Sequence, residues 1–245
     1  MTSQSPADEQ KPGTAFATLL SKYFEDLRNF FLDAVFAVNN NDITGDYVEF
    51  GSWGGKSLLS AHRVISMTDH QRRLWAFDSF EGLPEAADPR DVHPRWGAGG
   101  QGNAWSGRAE DNAVQRGLEY FQSSCEEMGL PRHSYTPVEG YFEDTLPPRG
   151  DSGEPRDIAI AYIDCNMYSS TVTVLDFLAP RLKNGMILAF DDYNCWTPDQ
   201  LSGERIAVHE FLQANPQWRF RRFKDIHWGG VSFVVEPSHL LSDAR

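Results

Sequence analysis

The chain has 245 residues, of which 40% are hydrophobic and 23% are charged, a composition typical of a globular protein with a sizeable core. Its 35 acidic residues outnumber the 22 basic ones and give a formal net charge of −13. This surplus argues against nucleic acid or an anionic membrane surface as a partner. The three cysteines show no CxxC spacing, which argues against a disulfide framework and a zinc knuckle.

The two ends of the chain have the character of polar tails. Residues 1–14 are expected to be disordered and lack the apolar stretch of a signal peptide, and residues 238–245 are expected to form a second tail. No run of about 18 apolar residues occurs, so no membrane span is predicted. We therefore expect a cytoplasmic protein.

Residues 15–45 are predicted to form an N-terminal helical extension. Apolar residues recur there at spacings of three and four, which indicates one or two amphipathic helices. Their aromatic side chains are expected in the core, although the same helices could form the contact of a homodimer or a higher homo-oligomer.

Residues 46–237 alternate short apolar strands with helices. The strands are predicted at 47–50, 74–77, 135–138, 158–163, 186–190, 218–223 and 230–235. The helices between them are predicted at 55–67, 112–128, 170–182 and 204–213. Such alternation is typical of an α/β fold with a mostly parallel sheet, here closed by an antiparallel pair. Residues 81–112 are too long for a simple connection, so we expect a lid or substrate loop there.

Acidic residues recur where the predicted strands end. Ligands of open parallel sheets bind beyond these carboxyl ends, so Asp164, Asp191 and Asp192 should converge at one edge. Three carboxylates that close repel one another unless a cation neutralises them, and oxygen ligands suit a hard ion such as Mg²⁺. The simpler alternative is that one of these aspartates caps the following helix.

The first predicted strand ends in a glycine-rich turn, Gly51 to Ser57. The turn matches neither the phosphate-binding GxxxxGK[ST] pattern nor GxGxxG, although its glycines allow a ligand close to the backbone. Asp78, at the end of the second strand, could accept hydrogen bonds from ribose hydroxyls, or could serve only as a loop or capping carboxylate. Together the turn and Asp78 indicate a ligand of the adenosine type.

Four motifs resemble the macrocin O-methyltransferase (TylF/MycF-type) family over residues 45–235. They are EFGSWGGKS from Glu49, FDSFEGLP from Phe77, EGYFEDTLP from Glu139 and DDY from Asp191. The resemblance implies a class I methyltransferase (Rossmann-like) fold, with a seven-stranded, mostly parallel sheet behind the N-terminal helices. It also implies S-adenosylmethionine (SAM) as methyl donor, Mg²⁺ as cofactor, and a small acceptor carrying a hydroxyl group, such as a sugar or another natural product.

The resemblance also assigns roles to individual positions. It implies Asp164, Asp191 and Asp192 as metal ligands. The residues expected around SAM, from its methionine part through the ribose to the adenine, are Glu49, Gly51, Ser57, Asp78, Ser79, Gly140, Phe142 and Asp164.

One position departs from the family pattern. The family often has a second aspartate, a candidate base, two residues after the aspartate that corresponds to Asp164, whereas this chain has Asn166. An amide cannot act as a carboxylate base. This departure therefore leaves open which residue is the base, which substrate is used and whether the reaction runs at full rate. His227 is a substitute candidate, and the alternative is a histidine in a surface loop.

The predicted reaction is an SN2 transfer of the methyl group from SAM to a hydroxyl, whose pKa a bound Mg²⁺ would lower. A nicotinamide-dependent oxidoreductase would need GxGxxG, and a metal-dependent hydrolase leaves Asp78 unexplained. A non-catalytic protein with the SAM fold is favoured only by Asn166. Trp96, Trp105 and Trp196 could form an apolar wall for the acceptor, or could simply be buried.

Overall fold

The structure is a computed structural model that describes residues 12–94, 96–98, 117–147 and 153–242. Several expectations lie outside these ranges. They concern most of the N-terminal tail, the later part of the predicted lid with Trp105, and the start of the predicted helix at 112–128.

Helices and strands alternate along most of the described chain. The helices are α1 (Pro12–Asn40), α2 (Lys56–Ile65), α3 (Leu118–Glu127), α4 (Phe142–Thr145), α5 (Tyr168–Leu178), α6 (Gly203–Ala214) and α7 (His239–Ser242). The strands are β1 (Asp46–Phe50), β2 (Leu74–Asp78), β3 (Thr136–Glu139), β4 (Ile158–Ile163), β5 (Ile187–Phe190), β6 (Trp218–Asp225) and β7 (Val231–Pro237).

The seven strands form one sheet in the order β3-β2-β1-β4-β5-β7-β6. β7 runs antiparallel to both of its neighbours, and the other pairs are parallel. This confirms the predicted mostly parallel sheet with a closing antiparallel pair. The strand order reverses between β1 and β4, and the crevice at such a reversal is where open α/β sheets bind ligands.

The sheet is covered on both faces. The residues of β4 are divided between the two apolar clusters: Tyr162 packs with Phe30 of α1, while Ile163 shares its cluster with Phe177 of α5. All six residues of β4 are buried. The sequence of a strand that is buried on both faces is a continuous apolar run, so β4 could be predicted from sequence.

The N-terminal segment forms one helix, α1, rather than two. Phe30 and Phe31 are fully buried, and the ring of Phe31 lies 5.8 Å from Tyr47 and 5.5 Å from Tyr162. The helix begins at Pro12, within the segment expected to be a tail, and the short α7 lies within the expected C-terminal tail. None of the helices in the described part of the chain combines the length and apolar character needed to cross a bilayer.

The described part of the predicted lid is anchored to α5 and α6. Asp91, which is buried, accepts hydrogen bonds from the backbone N–H and the hydroxyl of Ser169 at 2.8 and 2.5 Å. Arg90 stacks on the ring of Tyr168 at 3.7 Å and pairs with Glu210 at 2.8 Å. The start of the long segment is therefore held against the helices on one face of the sheet.

Candidate active site

A cavity of about 280 Å³ opens at the carboxyl ends of β1, β2 and β4. Most of the residues predicted to bind SAM line this cavity: Gly51, Asp78, Ser79, Gly140, Phe142 and Asp164. Glu49 and Ser57 do not line it. The structure therefore brings most of the expected set to one cavity and places the other two residues behind its wall.

Gly51 lets the first turn lie directly against the loop that follows β4. Its φ is +87°, and a Cβ atom at this position would lie 2.0 Å from the carbonyl oxygen of Asp164. The N–H of Asp164 donates to the carbonyl of Phe50 at 2.8 Å, which holds the two strand ends together. A residue with a side chain would push Asp164 away from the cavity.

Asp78 fixes the shape of the glycine turn. Its Oδ2 accepts hydrogen bonds from the N–H groups of Ser52 and Trp53 at 2.7 and 2.9 Å, and its Oδ1 accepts one from Phe80 at 2.7 Å. Asp78 thus ties the end of β2 to the β1–α2 turn while it lines the cavity. Asp78 can therefore hold the loop and face a ligand at the same time, so the two alternatives expected for it are compatible.

Glu49 lies fully buried behind the cavity. Its two oxygens accept hydrogen bonds from the hydroxyls of Tyr47 at 2.5 Å and Ser57 at 3.0 Å. Burial raises the pKa of Glu49 to about 8, because removal from water disfavours the charged form. In this arrangement Glu49 and Ser57 support the β1–α2 turn from inside the protein.

Three carboxylates gather beside the cavity. One oxygen each of Asp164, Asp191 and Asp192 lies within 4.8 Å of the other two. Burial and mutual repulsion raise the pKa of Asp164 well above its usual range and that of Asp192 to about 7. The close, purely oxygen-donor set and its electrostatic cost fit a hard divalent cation, which would relieve the repulsion.

The three aspartates differ in how they are held. Asp191 accepts hydrogen bonds from the Tyr162 hydroxyl and from His227, whose Nε2 lies 2.9 Å from Asp191 Oδ1. Asp192 accepts from the side-chain amide of Asn166 and from the thiol of Cys195.

Asp164 is the remaining member of the cluster. No side chain in the described ranges donates a hydrogen bond to it, and it lines the cavity. It is therefore the least satisfied of the three carboxylates.

Asn166 and His227 are both near the cluster, and each forms a hydrogen bond with one of its aspartates. Asn166 has a φ of +61° and uses its amide group to hold Asp192. His227 accepts the Gly229 N–H at Nδ1, 3.1 Å away, so its Nε2 carries the hydrogen that faces Asp191. The side chain of His227 is only 6% exposed, so the alternative of a surface histidine is wrong.

Two further residues near the cluster were missed from sequence. Tyr23 of α1 packs its ring 5.0 Å from that of His227 and lies within electrostatic range of the aspartates. Glu204 of α6 is fully buried and accepts the N–H of Asp192 at 2.9 Å. Tyr23 comes from a helix distant in sequence and Glu204 from the helix that follows β5, and no motif marked either of them.

Two of the three tryptophans expected to form an acceptor wall, Trp96 and Trp196, lie in the described part of the chain. Trp96 stacks on His93 with ring centres 3.9 Å apart, and Trp196 is exposed. Neither lines the cavity, whereas Trp53, in the glycine turn, does.

Solved structures share this architecture. The O-methyltransferase NovP aligns over 85% of this chain and 79% of its own, with 24% identity and a TM-score of 0.63. The calicheamicin methyltransferase CalS11 aligns over 96% of this chain and 99% of its own, with 23% identity and a TM-score of 0.61. The fold is that of a class I methyltransferase.

A family model described as macrocin-O-methyltransferase (TylF) matches residues 5–231, so the chain belongs to that family, as its motifs indicated. A curated relative from Streptomyces olivaceus, 8-demethyl-8-(2,3-dimethoxy-alpha-L-rhamnosyl)-tetracenomycin-C 4'-O-methyltransferase, is 31% identical over 172 residues, 69% of this chain and 58% of the relative. The mycinamicin III 3''-O-methyltransferase of Micromonospora griseorubida is 29% identical over 178 residues, 69% of this chain and 61% of the relative. The matched region thus spans about three fifths of these relatives.

Proposed function

We propose that this protein transfers a methyl group from SAM to a hydroxyl of a sugar-bearing or otherwise hydroxylated natural product, with a divalent cation held by Asp164, Asp191 and Asp192. One observation carries the proposal: Asp164 belongs both to the cavity wall and to the carboxylate cluster. A donor in the cavity would therefore lie next to an acceptor at the cluster.

The residues of the cavity wall supply the donor site. Gly51 allows close approach to the backbone, and Asp78 presents a rigid carboxylate for the ribose. Gly140 and Phe142 form the part of the wall after β3, where we place the adenine. Glu49 and Ser57 act from behind, by fixing the turn that faces the methionine part.

The residues around the cluster orient its carboxylates. Tyr162 and His227 hold Asp191, while Asn166 and Cys195 hold Asp192. A cation bound there would lower the pKa of an acceptor hydroxyl and neutralise the three charges. Since Asn166 is an amide that holds Asp192 and both ring nitrogens of His227 are engaged, we assign both residues to positioning rather than to proton abstraction.

In the reaction the acceptor oxygen attacks the methyl carbon. A C–O bond would form and the C–S bond of bound SAM would break, the sulfur would keep the electron pair, and the hydroxyl proton would pass to solvent water. Alignment of the two groups and stabilisation of the developing charge can supply much of the acceleration. One relative is named for 4'-O-methylation of a rhamnosyl-bearing tetracenomycin C and another for 3''-O-methylation of mycinamicin III, and the first supports a glycosylated acceptor for this chain.

The test is a methyl-transfer assay with isotope-labelled SAM and a panel of glycosylated and hydroxylated acceptors, read by mass spectrometry. We expect labelled product with Mg²⁺ and its loss with EDTA, and we expect Asp191→Asn to reduce turnover at least a hundredfold while binding of S-adenosylhomocysteine (SAH) is kept. Full activity of Asp191→Asn in EDTA would refute the cation role. Tight SAH binding with no methylation of any acceptor would favour the non-catalytic alternative, and NAD binding in place of SAH would favour an oxidoreductase.

A further inference from the structure

A fourth carboxylate lies beside the cluster and is not one of its candidate ligands. Glu204 is the second residue of α6 and is fully buried. Acidic side chains are seldom fully buried without a compensating partner. Its environment therefore calls for an explanation that the proposed roles of the three aspartates do not supply.

The hydrogen bond of Glu204 runs to the loop that follows β5. Its Oε2 accepts the N–H of Asp192 at 2.9 Å. Burial, together with repulsion from Asp192 and Asp191, raises the pKa of this carboxyl well above its usual range. Its Oε1 has no hydrogen-bond partner among the described residues. One oxygen thus joins the start of α6 to the chain just after β5.

The packing of α6 gives Glu204 little freedom. Ser202 caps the helix by accepting the N–H of Arg205. Gly203 lies so close to the start of α5 that a Cβ atom would be 2.5 Å from the backbone nitrogen of Tyr168. Since a glycine is required for this approach, the position of Glu204 is set by the contact between the two helices.

We propose that Glu204 is a positioning residue, which holds the Asp192 backbone against the start of α6 and so sets the separation of the cation ligands. The inference rests on the proposed function, because it presumes a cation at the three aspartates. Glu204 itself acts through the main chain of Asp192 and does not serve as a ligand. Groups that orient metal ligands in this way typically contribute ten- to a hundredfold to metal affinity.

Two substitutions separate the reach of this side chain from its ability to ionise. Glu204→Gln keeps an oxygen at the distance of the Asp192 N–H and cannot ionise, and its NH₂ group replaces an oxygen that makes no hydrogen bond. Glu204→Asp keeps the carboxyl group but withdraws it by one methylene group. The exposed Glu127 provides a matched control as Glu127→Gln.

The experiment measures Mn²⁺ binding by electron paramagnetic resonance, with SAH present, and SAH binding by calorimetry, with circular dichroism as a check of folding. We expect Mn²⁺ affinity within about threefold of the wild type for Glu204→Gln and at least tenfold weaker for Glu204→Asp, with SAH affinity unchanged in both.

Three results would overturn the inference while the wild type still binds both ligands. They are a greater loss of Mn²⁺ affinity in Glu204→Gln than in Glu204→Asp, an equal loss in both variants, and no loss in either. A wild-type chain that binds SAH without Mn²⁺ would refute the cation site and this inference together. Failure to bind SAH would instead refute the donor site, so the separate failures are distinguishable.

Discussion

Replacement of Gly51 by alanine tests the contact that joins the cavity to the carboxylate cluster. The added Cβ would lie 2.0 Å from the carbonyl oxygen of Asp164, so one of the two backbone segments must move by more than 1 Å to restore an ordinary contact of about 3.4 Å. Neither segment is a flexible side chain end that could turn aside. The loop carrying Asp164 is therefore expected to shift.

The cost has two parts. An alanine at a φ of +87° pays roughly 1–2 kcal/mol for the left-handed conformation. Overpacking against a backbone atom adds about 1–3 kcal/mol. For a chain of this size each kcal/mol lowers Tm by about 2–4 °C, so a drop of roughly 4–20 °C is expected for Gly51→Ala.

Two other glycines separate strain from overlap. Gly129 has a φ of +89° and open space where its Cβ would lie, so Gly129→Ala should show the strain alone. Gly54 has open space and no positive φ, so Gly54→Ala should change Tm least. The assay is thermal unfolding followed by circular dichroism, together with SAH titration of Gly51→Ala and Gly129→Ala. Equal Tm values and equal SAH affinities for these two variants would refute the argument from overlap.

Two further predictions concern residues outside the cluster. Burial raises the pKa of Glu49 to about 8, so this residue stabilises the fold at low pH and loses that contribution as pH rises from about 4.5 to 8. Glu49→Gln should therefore flatten the fall of Tm between pH 5 and pH 8, whereas Glu127→Gln should leave the slope unchanged; a wild-type slope in both would contradict this. Asp91→Ala removes the two hydrogen bonds from Ser169, so we expect a loss of about 2–4 kcal/mol and faster proteolysis of the segment after β2. Asp69→Ala, at an exposed position, is the control, and equal cleavage rates would count against the anchoring role.

The sheet and most of its ligand-facing edge could be predicted from sequence because the pattern is local. A buried parallel strand is a short apolar run, and the residue after it must lie at the carboxyl edge. That rule alone places Asp78, Asp164 and Asp191 near one another. The motif resemblance added a prediction of which of these residues bind the donor.

The contacts of the supporting residues could not be predicted in this way, because they depend on how the helices pack and on local backbone conformation. Glu204 lies at a helix start whose position depends on the approach of Gly203 to α5. Tyr23 reaches His227 because α1 covers one face of the sheet. The orientation of Asn166 depends on a positive φ, which a sequence pattern does not reveal.

The pairing of β7 with β5 has a consequence for the order in which the site is assembled during synthesis. All three aspartates are translated before the turn between β6 and β7, and that turn carries the histidine that holds Asp191. Until β7 inserts between β5 and β6, the nascent chain has the repelling carboxylates without one of their donors. The last strand of the sheet therefore completes both the fold and the electrostatics of the site, so a ribosome-bound chain that ends before it would carry an unfinished centre.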